Sequence, residues 1–313
     1  MKWAYASQRK EYGHALIELG KTRKDVVVLD ADLSGSTRTA DFAKEFPEHF
    51  FNCGIAEQNM MGTAAGLAAS GKVVFASTFA VFATGRCWDQ IRQSIAYPKL
   101  NVKIVATHAG ITVGGDGASH QTGEDVALMR TLPNMTVVVP ADASETFKAV
   151  KALAEWQGPC YLRMGRLDFP VVHEPDAPFK IGKGEVLREG DDITLMACGI
   201  MVSRALEAAE ALEKRNVSAQ VINMPSIKPL DEAIITSAVK KTGGIVTAEE
   251  HNVLSGLGSA VAGFLCEHDP VPVKRVGMMD TFGESGEGEE LMRKYGLTAD
   301  KIIEAAEDVM RRR

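Results

Sequence analysis

The chain has 313 residues, of which 45% are apolar and 24% are charged, the balance of an ordinary globular protein with room for two domains. Its formal net charge is −6 and its basic residues are dispersed, which argues against a nucleic-acid-binding surface. No apolar run approaches the ~18 residues of a membrane span, and the first residues lack the apolar core of a signal peptide. We therefore expect a cytoplasmic protein that binds neither nucleic acid nor membrane.

The first half of the chain alternates predicted helices and strands. Apolar runs predict strands at 25–30, 72–76, 101–107, 135–140 and 160–163. Helical spacing predicts helices at 9–21, from Glu57 to about residue 70, at 79–96 and from about 142 to 156. Asp142 and Ser144 are suited to start the last of these. This alternation is typical of a mainly parallel sheet covered by helices.

A change in composition divides the chain. Between 171 and 192 the sequence is rich in proline, glycine and charge, which indicates a linker. A second alternation follows, with strands at 193–198, 219–223, 244–248 and 272–276 and helices at 202–214, 231–240, 256–266 and 299–312. We expect two α/β domains, each with a mainly parallel sheet, at residues 1–175 and 192–313, joined by a linker at 176–191.

The five cysteines are scattered and show no zinc-binding spacing, so buried free thiols are expected. They are Cys53, Cys87, Cys160, Cys198 and Cys266. Cys53 is near enough to Glu57 to be reactive, although a packing role is the simpler interpretation.

Glu57 follows a glycine turn at Gly54 and opens an Ala/Gly/Met-rich helix. A carboxylate packed into such a segment is poorly solvated, which suits a group that exchanges a proton with a ligand. An acid in the first turn of a helix also suits the helix dipole without any catalytic role. The residues alone leave both readings open.

A second polar stretch runs from His108 to His120, directly after a predicted strand. It places two histidines and Asp116 among four glycines, where the backbone can approach a ligand closely. Each histidine alone reads more readily as structural. A metal site is a weaker alternative, because the spacing matches no zinc pattern, and Asn134 lies in an unsuitable turn to join Asp116 on magnesium.

Two further loops follow predicted strands. Residues 32–36 form a polar, glycine-containing loop of the kind that binds ligands in open α/β sheets, although solvation explains it equally well. Arg163 and Arg166 lie near the end of another strand, where either could be a surface ion-pair residue or a phosphate ligand.

These motifs resemble those of the transketolase family. The segment 51–61 around Glu57 resembles the cofactor-activating glutamate motif of thiamine diphosphate enzymes, and Ser77 to Phe82 resembles the aromatic wall of the pyrimidine pocket. The resemblance covers essentially the whole chain but only the second half of a full-length transketolase. It implies a pyrimidine-binding domain at 1–175 and a transketolase C-terminal domain at 192–313.

The resemblance also implies roles for the cofactor-site residues. Glu57 would contact N1′ of the aminopyrimidine, Phe82 would stack on that ring, and Phe79 would line the pocket. Asp32 matches an acid near the cofactor. A third aromatic of the family's pocket falls at Gly85, so the pocket wall is thinner here or is completed by another residue.

The substrate residues follow in the same way. His120 would lie beside the reacting carbon, and Asp116 would bind a hydroxyl of the donor substrate. The residues that resemble the sugar-phosphate site are Arg9, Ser36, His108 and Arg166. Arg166 is the least secure of the four, because Arg163 is close enough for the alignment to slip.

The family's diphosphate-binding half has no counterpart in the sequence. The resemblance therefore predicts a split transketolase in which an N-terminal partner subunit supplies that half and the Mg²⁺ ligands, with none expected here. A homodimer of this chain within a heterotetramer, acting on sugar phosphates, is implied. The alternatives are a β subunit of a 2-oxo acid dehydrogenase, an enzyme like deoxyxylulose-phosphate synthase, and a non-catalytic partner subunit.

Overall fold

The computed structural model describes residues 2–313, which form two α/β domains. The strands are β1 (Tyr5–Ala6), β2 (Val26–Asp30), β3 (Phe50–Asn52), β4 (Val73–Phe79), β5 (Val102–Thr107), β6 (Thr136–Val138), β7 (Cys160–Arg163), β8 (Phe169–Pro170), β9 (Glu185–Arg188), β10 (Ile193–Ala197), β11 (Ala219–Asn223), β12 (Ser226–Lys228), β13 (Ile245–Asn252) and β14 (Val273–Met278). The helices are α1 (Gln8–Thr22), α2 (Ser34–Thr37), α3 (Thr39–Glu45), α4 (Glu57–Ala69), α5 (Trp88–Gln90), α6 (Asp125–Arg130), α7 (Ala143–Glu155), α8 (Met201–Glu213), α9 (Glu232–Thr242), α10 (Leu257–Glu267), α11 (Gly288–Lys294) and α12 (Ala299–Met310). None of the helices within residues 2–313 is long and apolar enough to cross a membrane.

The first domain is built on a seven-stranded sheet in the order β12-β6-β7-β5-β4-β2-β3. All neighbouring pairs are parallel except β12 with β6. Strands β2, β4 and β5 are buried along their whole length, as continuous apolar runs predict for a sheet covered on both faces. Val27 and Leu29 pack in one core with α4, whereas Val26 and Val28 pack in another with α1 and α7.

The second domain contains a five-stranded sheet in the order β14-β13-β10-β11-β9. Strands β10, β11, β13 and β14 are parallel, and β9 is an antiparallel edge strand. Helices α8 and α12 pack on this sheet through the apolar core that contains Ile193, Val221 and Ile302. The prediction of two α/β domains with mainly parallel sheets is confirmed.

One short strand crosses the predicted domain boundary, and another lies in the predicted linker. Strand β12 belongs by sequence to the second domain but completes the first sheet, with Ser226 opposite Val138. The segment predicted as a linker, 176–191, contains β9, which pairs antiparallel with β11 at the edge of the second sheet. The first domain therefore takes one strand, β12, from the second half of the chain.

The parallel register brings one set of strand ends together. The carboxyl ends of β2, β4, β5 and β7 lie side by side at one edge of the first sheet. The residues that follow these strands are the loop after Asp30, the segment after Phe79, His108 and Arg166. In open α/β sheets this edge is where ligands bind.

The segment 79–96, predicted as one helix, differs from that prediction. Strand β4 continues to Phe79, and two π-helical turns, Phe82–Arg86 and Ile91–Ala96, flank the short helix α5. The wider turn changes which side chains share a face, since residues five apart become neighbours in a π-helix.

Candidate functional site

Four aromatic rings meet at the carboxyl ends of β4 and β5. His108 stacks on Phe79 with ring centroids 3.8 Å apart, and Phe79 lies 5.9 Å from Phe82 in nearly parallel orientation. His120 stands edge-on to Phe82 at 5.4 Å, and its Nδ1 lies 3.0 Å from the hydroxyl of Ser119. The ring of Phe82 is half-buried. The structure therefore brings together aromatic residues from two separate stretches of the sequence.

Glu57 lies at the start of α4 and reaches this aromatic cluster through Arg86. Its side chain is 3% exposed, and Oε1 accepts a hydrogen bond from Arg86 Nη1 at 2.8 Å. The Arg86 guanidinium lies 4.5 Å from the centroid of the Phe82 ring. A buried carboxylate and a half-exposed aromatic ring thus flank one side chain, an arrangement that fits a flat ligand with hydrogen-bonding nitrogens.

Arg86 was missed by the sequence analysis. Its spacing from Phe82 offered a signal, because a cation four residues after an aromatic ring can reach that ring on a helical segment. The ion pair with Glu57 spans 29 residues and carries no such local signal.

Arg9, His108 and Arg166 form a group beside the aromatic rings that we call the cationic recess. Arg9 donates to the backbone carbonyls of Ser36 and Arg166, each at 2.8 Å, and its buried Nε has no hydrogen-bond partner among residues 2–313. Arg166 donates to the carbonyl of Val113 and lies 3.5 Å from a carboxylate oxygen of Asp116. Of the four residues predicted for the sugar-phosphate site, Arg9, His108 and Arg166 place their side chains here, and Ser36 contributes its backbone carbonyl.

The recess is short of negative charge. Burial and then the nearby Arg38 and Arg166 lower the pKa of Arg9, with Asp168 opposing them. Burial, followed by the positive charges of Arg9 and Arg166, lowers the pKa of His108 to about 3, so its imidazole is neutral at ordinary pH. Its Nδ1 lies 2.9 Å from the Thr107 hydroxyl. An anion placed here would relieve the repulsion among these groups.

Arg163 points away from the recess. It is buried, with Nε donating to Asp125 at 2.8 Å and Nη2 to the backbone carbonyl of Glu250 at 2.8 Å. Tyr161 donates to the same Asp125 oxygen. Of the two arginines near the end of β7, Arg166 is therefore the one available to a ligand, and Arg163 joins the two domains.

Asp32 lies in the loop after β2, on the exposed surface, where it accepts a hydrogen bond from Asn52 at 3.0 Å. This contact is with the end of β3 and not with the aromatic rings. Nearby Cys53 is half-buried, and burial, with the charge of Asp30, raises the pKa of its thiol, which makes it a poor nucleophile. All five cysteines are free.

His108, Asp116 and His120 do not assemble a metal site. Across residues 2–313 no group of three His, Cys, Asp or Glu side chains is placed to hold a metal ion. Asp116 is instead turned towards Arg166, and both histidines pack against phenylalanine rings.

Together the fold and the site define an α/β protein whose sheet edge presents a carboxylate beside an aromatic surface and a cation-lined recess. Residues 5–171 match the family model described as transketolase, pyrimidine binding domain, and residues 182–302 match transketolase, C-terminal domain. The chain belongs to the transketolase family.

Individual relatives extend this finding. A putative transketolase C-terminal section of Methanocaldococcus jannaschii is 51% identical over 311 residues, covering 98% of each chain. A 6-deoxy-6-sulfo-D-fructose transketolase subunit of Clostridium is 42% identical, covering 97% of this chain and 95% of that one. A solved structure of a split gene transketolase, described as an inactive beta4 tetramer, has a TM-score of 0.92 and 56% identity, covering 98% of this chain and 99% of that chain.

A longer transketolase shows how the chain corresponds to part of a larger protein. The crystal structure of transketolase from Campylobacter jejuni superposes with a TM-score of 0.81 at 26% identity. The match covers 96% of this chain and 46% of that chain. The present fold therefore corresponds to somewhat less than half of that enzyme.

Proposed function

We propose that this chain is the C-terminal subunit of a split transketolase, which transfers a two-carbon ketol unit from a ketose phosphate to an aldose phosphate. One observation carries the proposal: the buried Glu57 carboxylate and the half-exposed Phe82 ring lie at the same sheet edge as the cationic recess of Arg9 and Arg166. The first pair fits the aminopyrimidine of thiamine diphosphate, and the recess fits the anionic end of a sugar.

The side chains at this edge have distinct proposed roles. Thiamine diphosphate, when bound, would supply a carbon nucleophile. Glu57 would share a proton with N1′ of its pyrimidine, Phe82 would stack on that ring, and Phe79 would line the pocket. His120, held edge-on to Phe82, would lie beside the reacting carbon, and Asp116, beside Arg166, would bind a hydroxyl of the donor sugar. Fixed charge and orientation are what the protein adds to the cofactor's own chemistry.

The proposal requires a partner chain. The second half of a transketolase is represented here, so we assign the diphosphate-binding half and the Mg²⁺ ligands to an N-terminal subunit. We propose a homodimer of this chain within a heterotetramer, with Asp32 on the cofactor side of the cleft. The description of the related split gene transketolase as an inactive beta4 tetramer supports a dependence on the partner.

The anion on the sugar is a phosphate or a sulfonate. One relative is described as an apulose-4-phosphate transketolase subunit and another as a 6-deoxy-6-sulfo-D-fructose transketolase subunit, with 41% and 42% identity. Both anions present oxygens to guanidinium donors, so the recess of Arg9, His108 and Arg166 accommodates either class.

The test is reconstitution. The chain is purified alone and with its N-terminal subunit, and each preparation is assayed with thiamine diphosphate and Mg²⁺ against ketose phosphates, 6-deoxy-6-sulfofructose and hydroxypyruvate. We expect turnover only from the complex. Full turnover by the single chain would rule out the split enzyme, and a complex that binds the cofactor but turns over no substrate would indicate a non-catalytic partner subunit.

A further inference from the structure

Arg86 makes two contacts at the place that the proposed function assigns to the cofactor's pyrimidine ring. Its Nη1 donates to Glu57 Oε1 at 2.8 Å, and its Cζ lies 4.5 Å from the Phe82 ring centroid. Its backbone carbonyl accepts a hydrogen bond from Gln58 Nε2 at 3.0 Å, which fixes the main chain beside the start of α4. The Arg86 side chain thus contacts both the Glu57 carboxylate and the Phe82 ring.

A guanidinium group and an aminopyrimidine present similar chemistry. Both are flat, both carry N–H donors on a conjugated N–C–N unit, and both favour the face of an aromatic ring. The guanidinium of Arg86 and an aminopyrimidine cannot both contact the Glu57 carboxylate and the same face of the Phe82 ring, because close packing leaves no room for two flat groups there. Resting on the proposed function, we infer that Arg86 is a placeholder that occupies the pyrimidine site in the cofactor-free chain and is displaced when thiamine diphosphate binds.

The free chain gains stability from this contact. Without Arg86, the carboxylate of Glu57, which is 3% exposed, would lose its ion-pair partner, and a buried charge without a partner destabilises a fold. Arg86 itself is 47% exposed, so its side chain can turn into solvent when a ligand displaces it. Arg86 therefore stabilises the cofactor-free chain, and its displacement by a ligand costs little free energy.

The neighbouring residue makes this movement possible. Gly85, where the family pocket has a third aromatic residue by resemblance, has no atom within 4 Å of the position that a Cβ would take. Because residue 85 has no side chain, none from that position blocks the movement of Arg86. The departure from the family pattern at Gly85 and the placement of Arg86 are thus parts of one arrangement.

The first measurement is cofactor binding. The complex of this chain with its N-terminal subunit is titrated calorimetrically with thiamine diphosphate, for wild type and Arg86→Ala. We expect the Kd to fall roughly tenfold in the variant, about 1.4 kcal/mol, because no side chain has to be displaced. Arg86→Met, which removes the charge but keeps an apolar stem over Phe82, guards against a folding defect in Arg86→Ala and is also expected to bind more tightly.

Arg92→Ala is the matched control. Arg92 is exposed and lies six residues further along the same helical segment, so the change in net charge is identical and the Kd should stay at the wild-type value. A second readout is the melting temperature of the isolated, cofactor-free chain. Arg86→Ala should lower it by a few degrees in the wild-type background and by less in a Glu57→Gln background, where a hydrogen bond is lost but no buried charge needs a partner.

The outcomes separate this inference from the proposed function. Unchanged or weaker binding in Arg86→Ala, while the wild-type complex binds normally, overturns the placeholder and leaves the split transketolase standing. Equal melting-temperature losses in both backgrounds also overturn it, since the contact with Glu57 would then carry no energy. A wild-type complex that binds no thiamine diphosphate overturns the proposed function and the inference together.

Discussion

Packing around the start of α4 fixes the position of the Glu57 side chain. It opens α4, where Met60 and Met61 on the following turn are fully buried, and its own buried carboxylate contacts Arg86. A group in this setting can exchange a proton with a ligand nitrogen without rearranging first. The role proposed for Glu57 therefore follows from where the helix begins.

Replacing this carboxyl group gives the most direct prediction. Glu57→Gln should lower turnover of the reconstituted complex by about 10²- to 10⁴-fold, because an amide cannot share a proton with N1′. The melting temperature should change little, since Gln keeps the size and an acceptor for Arg86. Steady-state kinetics and a thermal melt check the two parts. Glu48→Gln, at an exposed position, serves as the control, and near-normal turnover of Glu57→Gln would make Glu57 a structural helix-start acid.

Variants of the two arginines near the end of β7 distinguish a role in anion binding from a role in structure. Arg166→Ala should raise the apparent KM for the anionic sugar about ten- to a hundredfold, since a charge-assisted contact is worth roughly 1.5–3 kcal/mol. It should change the KM for hydroxypyruvate little. Arg9→Ala should behave alike. The assays use the reconstituted complex at one salt concentration, because salt screens exposed charges.

Arg163→Ala is the contrasting variant in that series. It should lower the melting temperature sharply, because it leaves the buried Asp125 carboxylate without its ion-pair partner. Equal KM increases for both donors in Arg166→Ala would mean that Arg166 holds structure, and would favour a 2-oxo acid dehydrogenase subunit.

Part of the site could be predicted from residues and part could not. Glu57, His108 and Arg166 follow a turn or a strand end, and such positions are visible in the sequence. The choice between Arg163 and Arg166 was not visible, because it depends on Asp125, 38 residues before Arg163, and on a carbonyl of the other domain. Long-range pairs of this kind are fixed by the fold.

At the scale of elements, strand ends and helix starts were predicted better than helix character. Strand β11 has the predicted bounds, and Asp142 caps α7 by accepting a hydrogen bond from Glu145 N at 2.8 Å. The segment 79–96 was predicted as a regular helix because its apolar residues recur at helical spacing. That spacing does not distinguish a π-helical turn from an α-helical one, and the π turn here carries Phe82 and Arg86.

Asp142, which caps α7, also binds a second segment of the chain. Besides capping, Asp142 accepts hydrogen bonds from Val172 N at 2.7 Å and His173 N at 2.8 Å, so it ties the chain after β8 to the helix. Asp142→Ala should therefore lower the free energy of unfolding by roughly 3 kcal/mol or more, measured by urea denaturation.

The comparison for this prediction is Thr298→Ala at the start of α12. Thr298 caps only Lys301 N, so its loss should cost about 1 kcal/mol. Equal losses in the two variants would show that the contacts of Asp142 with residues 172 and 173 contribute nothing.

At the scale of the whole molecule, the two domains interlock, and this was not predicted. Strand β12 has three residues between Pro225 and Pro229, too short and too interrupted to be read as a strand. Its place beside β6 depends on contacts that form only when the second domain is in position. The domain types are local properties of the sequence, whereas the place of β12 in the first sheet is not.

A polar cluster between the domains makes stability depend on pH. Burial raises the pKa of Glu145 to about 7, against the lowering effect of His173, and Asn223 donates to its carboxylate at 2.8 Å. Burial lowers the pKa of His173, but its hydrogen bond to Asp142 and the charges of Glu145, Asp142 and Glu185 outweigh burial and raise it overall. Both side chains therefore keep their proton to a higher pH in the folded protein than in the unfolded chain.

The sign of the effect follows from these directions. Stabilisation from a protonated Glu145 is complete below its unfolded value of 4.5 and is lost as pH rises through about 7. Glu145→Gln, which cannot ionise, should therefore gain stability relative to wild type between pH 5 and 8, by up to roughly 3 kcal/mol. Denaturation curves across this range check it, with exposed Glu155→Gln as control. Parallel curves for Glu145→Gln and wild type would contradict the assignment.

The position of β12 has a consequence for fragments of this protein. Because β12 comes from the second half of the chain and completes the first sheet, the first half is not a finished unit when expressed alone, and it leaves the edge at β6 open and prone to aggregation. The same interlocking means that the covalent connection between the halves contributes little once they are docked. A protease site inserted at the exposed residues 175–176 should yield two pieces that migrate together on size exclusion and separate only in denaturant, so the protein suits fragment complementation.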